Sequence, residues 1–197
     1  MTGKREVYLF DFNDSFTYNV ASELYEIGYK AQVITPQNMG AKLQEIAMSR
    51  KKCVIVYGPG PGHPDEYSSL FPLILKALTN PYIYHFGVCL GHQLIWRARG
   101  WEVIPSGMPV HGQKFDFKVP YWDEFEANFR GREIPVQRYN SLVVKGNGEE
   151  FFALYKGEVM AARFERGISY QFHPESIGTA NPKIFFAPIK QFLMESN

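Results

Sequence analysis

The chain carries two cysteines, Cys53 and Cys89, and one of them stands between glycines in Gly87-Val88-Cys89-Leu90-Gly91. This is the form of a nucleophile elbow with cysteine in place of serine. Such a side chain stands clear of a sharp strand-to-helix turn, and small neighbours permit the strained backbone. The helix that follows aims its positive end at the sulfur and favours thiolate, the reactive form. The amide of Leu90 is then free to hold a developing oxyanion. Cys53 lacks the flanking glycines and is assigned to the core.

A thiolate nucleophile needs a base, and the candidates are His63, His85, His92, His111 and His173. His92 shares a helix face with Cys89, but no neighbour in sequence orients it. His173 lies in Gln171-Phe172-His173-Pro174-Glu175-Ser176. Proline biases its predecessor to an extended backbone, which would put Glu175 on the same side as His173. A carboxylate there accepts Nδ1–H and leaves Nε2 facing the sulfur, giving a Cys89–His173–Glu175 triad. A third feature, Tyr57-Gly58-Pro59-Gly60-Pro61-Gly62-His63-Pro64, lacks the Gly-Lys-Ser/Thr ending of a phosphate loop. Its stiff, bare backbone is suited to presenting N–H groups to a carbonyl oxygen. Cys89 and His92 have metal-ligand spacing, but no second pair follows, so no metal is expected.

The elements that must position these groups alternate in the first half. Strands are expected over "VYLFDF", "KAQVIT", "CVIVYG" and "YIYHFGV". Helices are expected over "DSFTYNVASELYEIG", "AKLQEIAMSRK", "EYSSLFPLILKALT" and "HQLIWRAR". Asp14 or Ser15 is expected to cap the first helix and Gly28 to end it. The pattern predicts an α/β fold, with a mostly parallel central sheet covered by helices on both faces. Loops at the carboxyl ends of adjacent strands share one crevice, so Cys89 and Gly60 are expected to meet there. From Trp101 to Gln171 short β-like runs replace this pattern, and they either extend the first sheet or form a second one. "PKIFFAPIKQFLMES" reads as a closing helix with Phe185, Ile189, Phe192 and Leu193 on one side.

At 197 residues, with no repeat or low-complexity linker, a single domain is expected. The balance of 21 basic and 20 acidic residues gives no nucleic-acid or anionic-membrane footprint. Two cysteines make no disulfide framework, and neither a signal-peptide core nor a membrane span is read. A cytoplasmic location is the expectation. The aromatic share of 16% is high and is expected to serve the core, with some of it meeting another protein.

Taken together the motifs resemble the class I, triad-type glutamine amidotransferases. More narrowly, they resemble the glutaminase subunits of the chorismate-using anthranilate and aminodeoxychorismate synthases. "DFNDSFTYN" is similar to Asp-Asn-Tyr-Asp-Ser-Phe-Thr-Tyr-Asn, "GPGPGHP" to Ser-Pro-Gly-Pro-Gly-x-Pro, "RYNSL" to Arg-Tyr-His-Ser-Leu and "YQFHPESIGT" to Val-Gln-Phe-His-Pro-Glu-Ser-Ile-x-Thr, while "GVCLGHQ" matches outright. The resemblance spans nearly the whole chain and implies one amidotransferase domain over residues 1–197.

What the resemblance implies is specific. Cys89 attacks the side-chain amide of L-glutamine, His173 shuttles the proton and Glu175 orients it. The amides of Gly60 and Leu90 hold the oxyanion. Gly60, Pro61, Gly62, Gln93, Ser141 and Leu142 grip glutamine. Ammonia passes to a larger synthase subunit that aminates chorismate, with Mg²⁺ held there and no cofactor in this chain. The chain departs from the pattern at Asn13, Gly58, Trp101, Gln113 and Asn140, and "GTANP" lacks a customary glycine. None of these touches the triad. Two other classes remain open at this point: a stand-alone Cys-His-Glu amide hydrolase, and a binding subunit that keeps the fold without activity.

Overall fold

The computed structural model describes residues 6–195. Ser196, read as part of the closing helix, lies outside the described residues. Strand β1 (Glu6–Phe10), helix α1 (Thr17–Glu26), β2 (Gln32–Ile34), α2 (Pro36–Ala47), β3 (Cys53–Tyr57), α3 (Phe71–Leu78), β4 (Ile83–Val88) and α4 (Leu90–Ala98) alternate as expected. A 3-10 helix over Pro64–Leu70 precedes α3. The second half supplies β5 (Glu102–Pro105), β6 (Gln113–Lys118), β7 (Glu133–Arg138), β8 (Leu142–Lys145), β9 (Phe151–Tyr155), β10 (Glu158–Phe164) and β11 (Gly167–Tyr170), then α5 (Lys183–Met194).

The main sheet has the order β2-β1-β3-β4-β11-β10-β9. Its first five strands are parallel, and β10 and β9 add on antiparallel. The short runs of the second half therefore do both things left open above: β9, β10 and β11 extend the sheet. β5 with β8 and β6 with β7 form two separate antiparallel ribbons.

Alternation explains the two-sided core. Val7, Leu9, Val54 and Val56 point to one face and are buried with Phe185, Ile189 and Leu193 of α5. Tyr8, Phe10, Ile55 and Tyr57 point to the other, against Met39 and Leu43 of α2 and Leu94 and Ile95 of α4. Aromatic rings fill both layers: Phe10, Phe12, Phe86, Phe172, Phe185 and Phe186 have no exposed surface.

Two local expectations need correction. Helix α1 begins at Thr17 with Phe16 as its cap residue, not Asp14 or Ser15. Asp14 instead closes the turn ahead of the helix, its carboxylate accepting the Phe16 amide at 2.8 Å. Helix α2 starts at Pro36, several residues early, because a proline at the first helical position has no amide to leave unpaired. Gly28 does end the first helical segment, at φ 98°.

Two histidines are buried in this core. His85 Nδ1 meets the Tyr57 hydroxyl at 3.2 Å and its Nε2 meets the Ala77 carbonyl at 3.2 Å. His92 Nδ1 meets Ser169 Oγ at 2.9 Å. Burial lowers both rings from 6.5 to about 3. Because the folded values lie below the unfolded one, their contribution to stability is complete above about pH 6.5 and is lost as pH falls toward 3. Urea unfolding is therefore expected to show stability falling between pH 6 and pH 4 by up to about 3 kcal/mol per pH unit, one proton per ring. A midpoint that holds steady across that interval would contradict neutral burial of both histidines.

Candidate active site

Four segments leave the sheet at the same level. Phe10 pairs with Tyr57, Tyr57 with Gly87, and Tyr170 with Val88. The loops that follow these four parallel strands therefore open into one crevice at their carboxyl ends. Backbone bonds fix them together. Gly58 N donates to Phe10 O at 3.1 Å, Cys89 N to Tyr170 O at 2.8 Å, and Gly91 N to Gly58 O at 3.1 Å.

Cys89 sits at φ 52° and ψ −105°, between β4 and the first residue of α4. A non-glycine residue there carries about 1–3 kcal/mol of backbone strain, held by the surrounding bonds. The flanking glycines are required by space. A Cβ on Gly91 would lie 2.0 Å from the Tyr57 carbonyl oxygen, and one on Gly87 would lie 3.0 Å from the Gly91 backbone. As the N-cap of α4, Cys89 stands at the helix's positive end. Leu90 is the first helical residue, so its amide has no partner within the helix.

His173 and Glu175 meet as expected: Nδ1 lies 2.7 Å from Glu175 Oε1. His173 itself is extended, as read from Pro174, and forms a lone antiparallel bridge with Gln137, but the chain does not stay extended to Glu175. The chain turns after His173, with Ser176 N donating to His173 O at 3.2 Å. Proline at the second position of a β-turn has its φ already set, so the turn brings Glu175 back beneath the ring. Further bonds hold the His173 backbone: His173 N to Gln137 O at 2.9 Å, and Thr179 Oγ1 to His173 O at 2.7 Å. The rings of Phe16 and Tyr139 pack against the imidazole, at 5.3 Å and 5.1 Å between centroids.

Burial works against a charge on His173, but the Glu175 carboxylate and the Cys89 sulfur outweigh it. The pKa of His173 is raised well above the usual histidine value. Nε2 is buried and makes no aligned hydrogen bond in the resting chain. The sulfur therefore acts on the ring through charge and proximity, in the loosened geometry common before substrate binds. An imidazolium beside the sulfur is the state these charges favour.

The other histidines stand elsewhere. His63 caps the 3-10 helix, its Nδ1 accepting the Asp65 amide at 3.1 Å. His111 is exposed, and His92 turns to Ser169 rather than pairing with Cys89. Cys53 is in the core, where burial raises its thiol to about 12.

The Gly-Pro loop reaches the elbow. A Cβ on Gly60 would lie 2.5 Å from Phe12 Cβ and 2.6 Å from Leu90 Cδ2, so only glycine permits this approach. Pro61 and Gly62 are exposed at the rim, and Gly62 has φ 84°. Glu66 Oε1 accepts the His63 amide at 2.7 Å, and Asp65 pairs with Arg97 of α4 at 2.6 Å, which ties the loop to the helix. Gln93 and Leu142 also come together: Gln93 Nε2 donates to Leu142 O at 3.0 Å. Ser141 is exposed beside them, its carbonyl held by Ser106 N at 2.8 Å.

Several residues around the site carry no chemistry that sequence alone would single out. Phe16 and Tyr139, which flank His173, lie inside the motifs "DSFTYN" and "RYNSL", so the motifs are the available signal. Gln171, fully buried, places Nε2 at 3.7 Å from Cys89 Sγ. Arg138 and Glu158 form a buried ion pair at 2.7 Å beneath Asn140. The departures now have physical places. Asn13 takes φ 60°, which asparagine tolerates, with its amide bound to Asp11 Oδ1 at 2.9 Å. Trp101 packs on Phe151 at 4.7 Å, over Gly146 and Gly148, which leave room for its ring. Gln113 opens β6 opposite Arg138, and Asn140 Oδ1 accepts from Arg138 Nε at 3.1 Å. At Gly58 a Cβ would lie 2.7 Å from Phe10 O. A separate concavity of about 610 Å³ near Tyr82, Tyr84, Arg163 and Phe192 holds none of the triad.

Known proteins are similar to this chain in sequence and in fold. The chain is 34% identical over 178 residues to "Anthranilate synthase component 2" of Haemophilus influenzae, covering 88% of this chain and 90% of that protein. It is 32% identical to "Anthranilate synthase component 2, pyocyanine specific" of Pseudomonas aeruginosa, covering 89% and 88%. It is 31% identical to "Anthranilate synthase component 2" of Corynebacterium glutamicum, covering 95% and 98%. In fold it matches a crystal structure of a GMP synthase protein from Thermoplasma acidophilum. That match has a TM-score of 0.78 at 18% identity, over 98% of this chain and 96% of the other. The family model "Glutamine amidotransferase class-I" matches residues 8–192, and the chain belongs to that family.

Proposed function

We propose that this chain is the glutaminase subunit of a chorismate-using synthase, most closely an anthranilate synthase of the tryptophan pathway. The observation that carries the reading is the strained, glycine-flanked Cys89 beside a His173 held by Glu175 at 2.7 Å. Cys89 thiolate attacks the side-chain carbonyl carbon of glutamine, and a sulfur–carbon bond forms. The amides of Leu90 and Gly60 receive the oxyanion. His173, charged in the resting state, gives a proton to the departing nitrogen, and ammonia leaves a γ-glutamyl thioester. Water, deprotonated by His173, then breaks the sulfur–carbon bond, and glutamate leaves. Glu175 keeps Nδ1 protonated and stabilises the imidazolium at each stage. Gln93 has both amide protons committed, so its Oε1 is the atom left for glutamine. Pro61, Gly62, Ser141 and Leu142 are assigned with it to glutamine binding.

The partner assignment draws on relatives named as component 2 of anthranilate synthase. Two exposed apolar residues support a docking surface beside the site. Ile177, two residues past Glu175, is fully exposed, and Tyr18, two residues past Phe16, is 70% exposed. Mg²⁺ is assigned to the synthase and no cofactor to this chain. Among the described residues no helix is long and apolar enough to cross a membrane, and we assign the chain to the cytoplasm.

Ammonia released without an acceptor is wasted, so the site is expected to work fully only in the complex. Glutamine hydrolysis by the chain alone is expected to be slow and to rise at least about tenfold with saturating synthase and chorismate, as a partner that favours the competent state would cause. The product is expected to be anthranilate. An unchanged hydrolysis rate would reject partner activation and favour a stand-alone amide hydrolase. 4-Amino-4-deoxychorismate as product would move the chain to the folate pathway.

A further inference from the structure

The buried amide of Gln171 is not used by the triad, yet it faces the nucleophile. Its backbone is fixed where it leaves β11, Gln171 N donating to Met160 O at 2.9 Å. Its side chain is fully buried, with Nε2 at 3.7 Å from Cys89 Sγ and Oε1 at 3.0 Å from Gln93 Nε2. Which end of the amide meets the sulfur is decided by a chain of groups with only one polarity. The Leu142 carbonyl can only accept, so Gln93 must present Nε2 to it, at 3.0 Å. The same Nε2 faces Gln171, which must answer with Oε1. Nε2 of Gln171 is then directed at Cys89. A flipped Gln171 would set two N–H donors against each other, and flipping Gln93 as well would set two oxygens together at Leu142.

The Leu142 carbonyl is itself anchored. Asn140 Nδ2 donates to it at 3.0 Å, and Asn140 Oδ1 accepts from Arg138 Nε at 3.1 Å. Arg138 can only donate, so it sets the Asn140 amide as well. Arg138 is pinned by Glu158 at 2.7 Å, and Glu158 by the Ser106 hydroxyl at 2.5 Å. A directed series of hydrogen bonds thus runs from a buried ion pair to the nucleophilic sulfur, with the last member, Gln171, fully buried.

We propose that Gln171 is a further catalytic residue: its side-chain amide donates to the Cys89 sulfur and holds the thiolate for attack, with its polarity set by Gln93 and the Leu142 carbonyl. Gln171 exchanges no proton and forms no covalent bond. It stabilises sulfur when negative, before attack and again when the sulfur–carbon bond breaks and the electron pair returns to sulfur. Gln93 and Asn140 act through it and are positioning residues. The catalytic consequence rests on the glutaminase reading above, but the contact with sulfur does not.

The test is alkylation of Cys89 by iodoacetamide in the complete chain, followed against pH by peptide mass spectrometry so that buried Cys53 is counted separately. Gln171→Glu keeps the acceptor for Gln93 and removes the donor to sulfur. The alkylation midpoint is expected to rise by about one pH unit, as for loss of one hydrogen bond to a charged group. Glutaminase kcat is expected to fall about tenfold or more with a smaller change in KM, the sign of an interaction made with the reacting atom. Gln171→Met, an unbranched side chain of similar length with no donor, is expected to move the midpoint the same way. It decides the matter if thermal melting shows that Gln171→Glu is unfolded. A folded variant whose midpoint matches the parent chain overturns the proposal, even with lowered thermal stability. A Cys89→Ser chain that kept its glutaminase rate would instead overturn the reading of the site, whatever the alkylation midpoint.

Discussion

Cys89→Ser is expected to lower glutamine-dependent amination by roughly a thousandfold or more, as removal of a triad nucleophile does elsewhere. The serine hydroxyl is a far weaker acid than a thiol, so the helix N-terminus and the His173 charge cannot hold it as an anion. Little else changes. The side chain is nearly isosteric, and the turn is held by backbone bonds from Cys89 to Tyr170 and from Gly91 to Gly58. Amination from added ammonia should stay at the parent rate, because that chemistry belongs to the synthase. The pair of rates is measured on the complex, with glutamine and then with an ammonium salt as nitrogen source. A variant that kept most of its glutamine-dependent rate would show that the elbow does not carry the nucleophile.

The second large effect concerns His173 and Glu175. His173→Ala removes the group proposed to move a proton between sulfur, leaving nitrogen and water, and a loss of about three orders of magnitude is expected. Glu175→Gln is expected to cost less, about ten- to a hundredfold, the scale on which groups that orient a histidine act. Glutamine can still offer Oε1 to Nδ1, but the charge that raises the His173 pKa against burial is gone. The double variant should lose no more than His173→Ala alone, since Glu175 acts through the ring. Losses that add fully in kcat would separate the two residues and count against their pairing.

These residues are legible because their chemistry is local in sequence. The elbow needs glycines two positions either side of the cysteine, and His173 meets Glu175 within one short segment. Even there, the backbone route is not. Pro174 argues for an extended His173, which the bridge to Gln137 provides, but the chain then turns, and that β-turn delivers the pair at 2.7 Å. The alternating strands and helices up to Ala98 are legible for the same reason: apolar runs such as Cys53–Tyr57 are buried on both faces, which only a covered parallel sheet provides. Beyond Trp101 the alternation of Phe115 and Phe117 marks a strand, but nothing local says that β6 pairs with β7 while β11 inserts beside β4. Partner choice there is set by long-range packing. The polar series from Glu158 to Gln171 is illegible for a related reason. Its members come from β7, β8, β10, α4 and the end of β11, and a lone glutamine after a strand carries no signal of its own. Asn140, met first as a departure from a pattern, turns out to hold both Arg138 and the Leu142 carbonyl.

The central claim is that turnover passes through a γ-glutamyl group on Cys89. The complex is mixed with glutamine, quenched in acid within the first turnovers and digested, and the peptides are weighed. The account predicts one glutamyl group on the Cys89 peptide, labile to base, none on the Cys53 peptide, and none anywhere in Cys89→Ser. Turnover at the normal rate with an unmodified Cys89 peptide at every quench time, together with a Cys89→Ser chain that still hydrolyses glutamine, would contradict it.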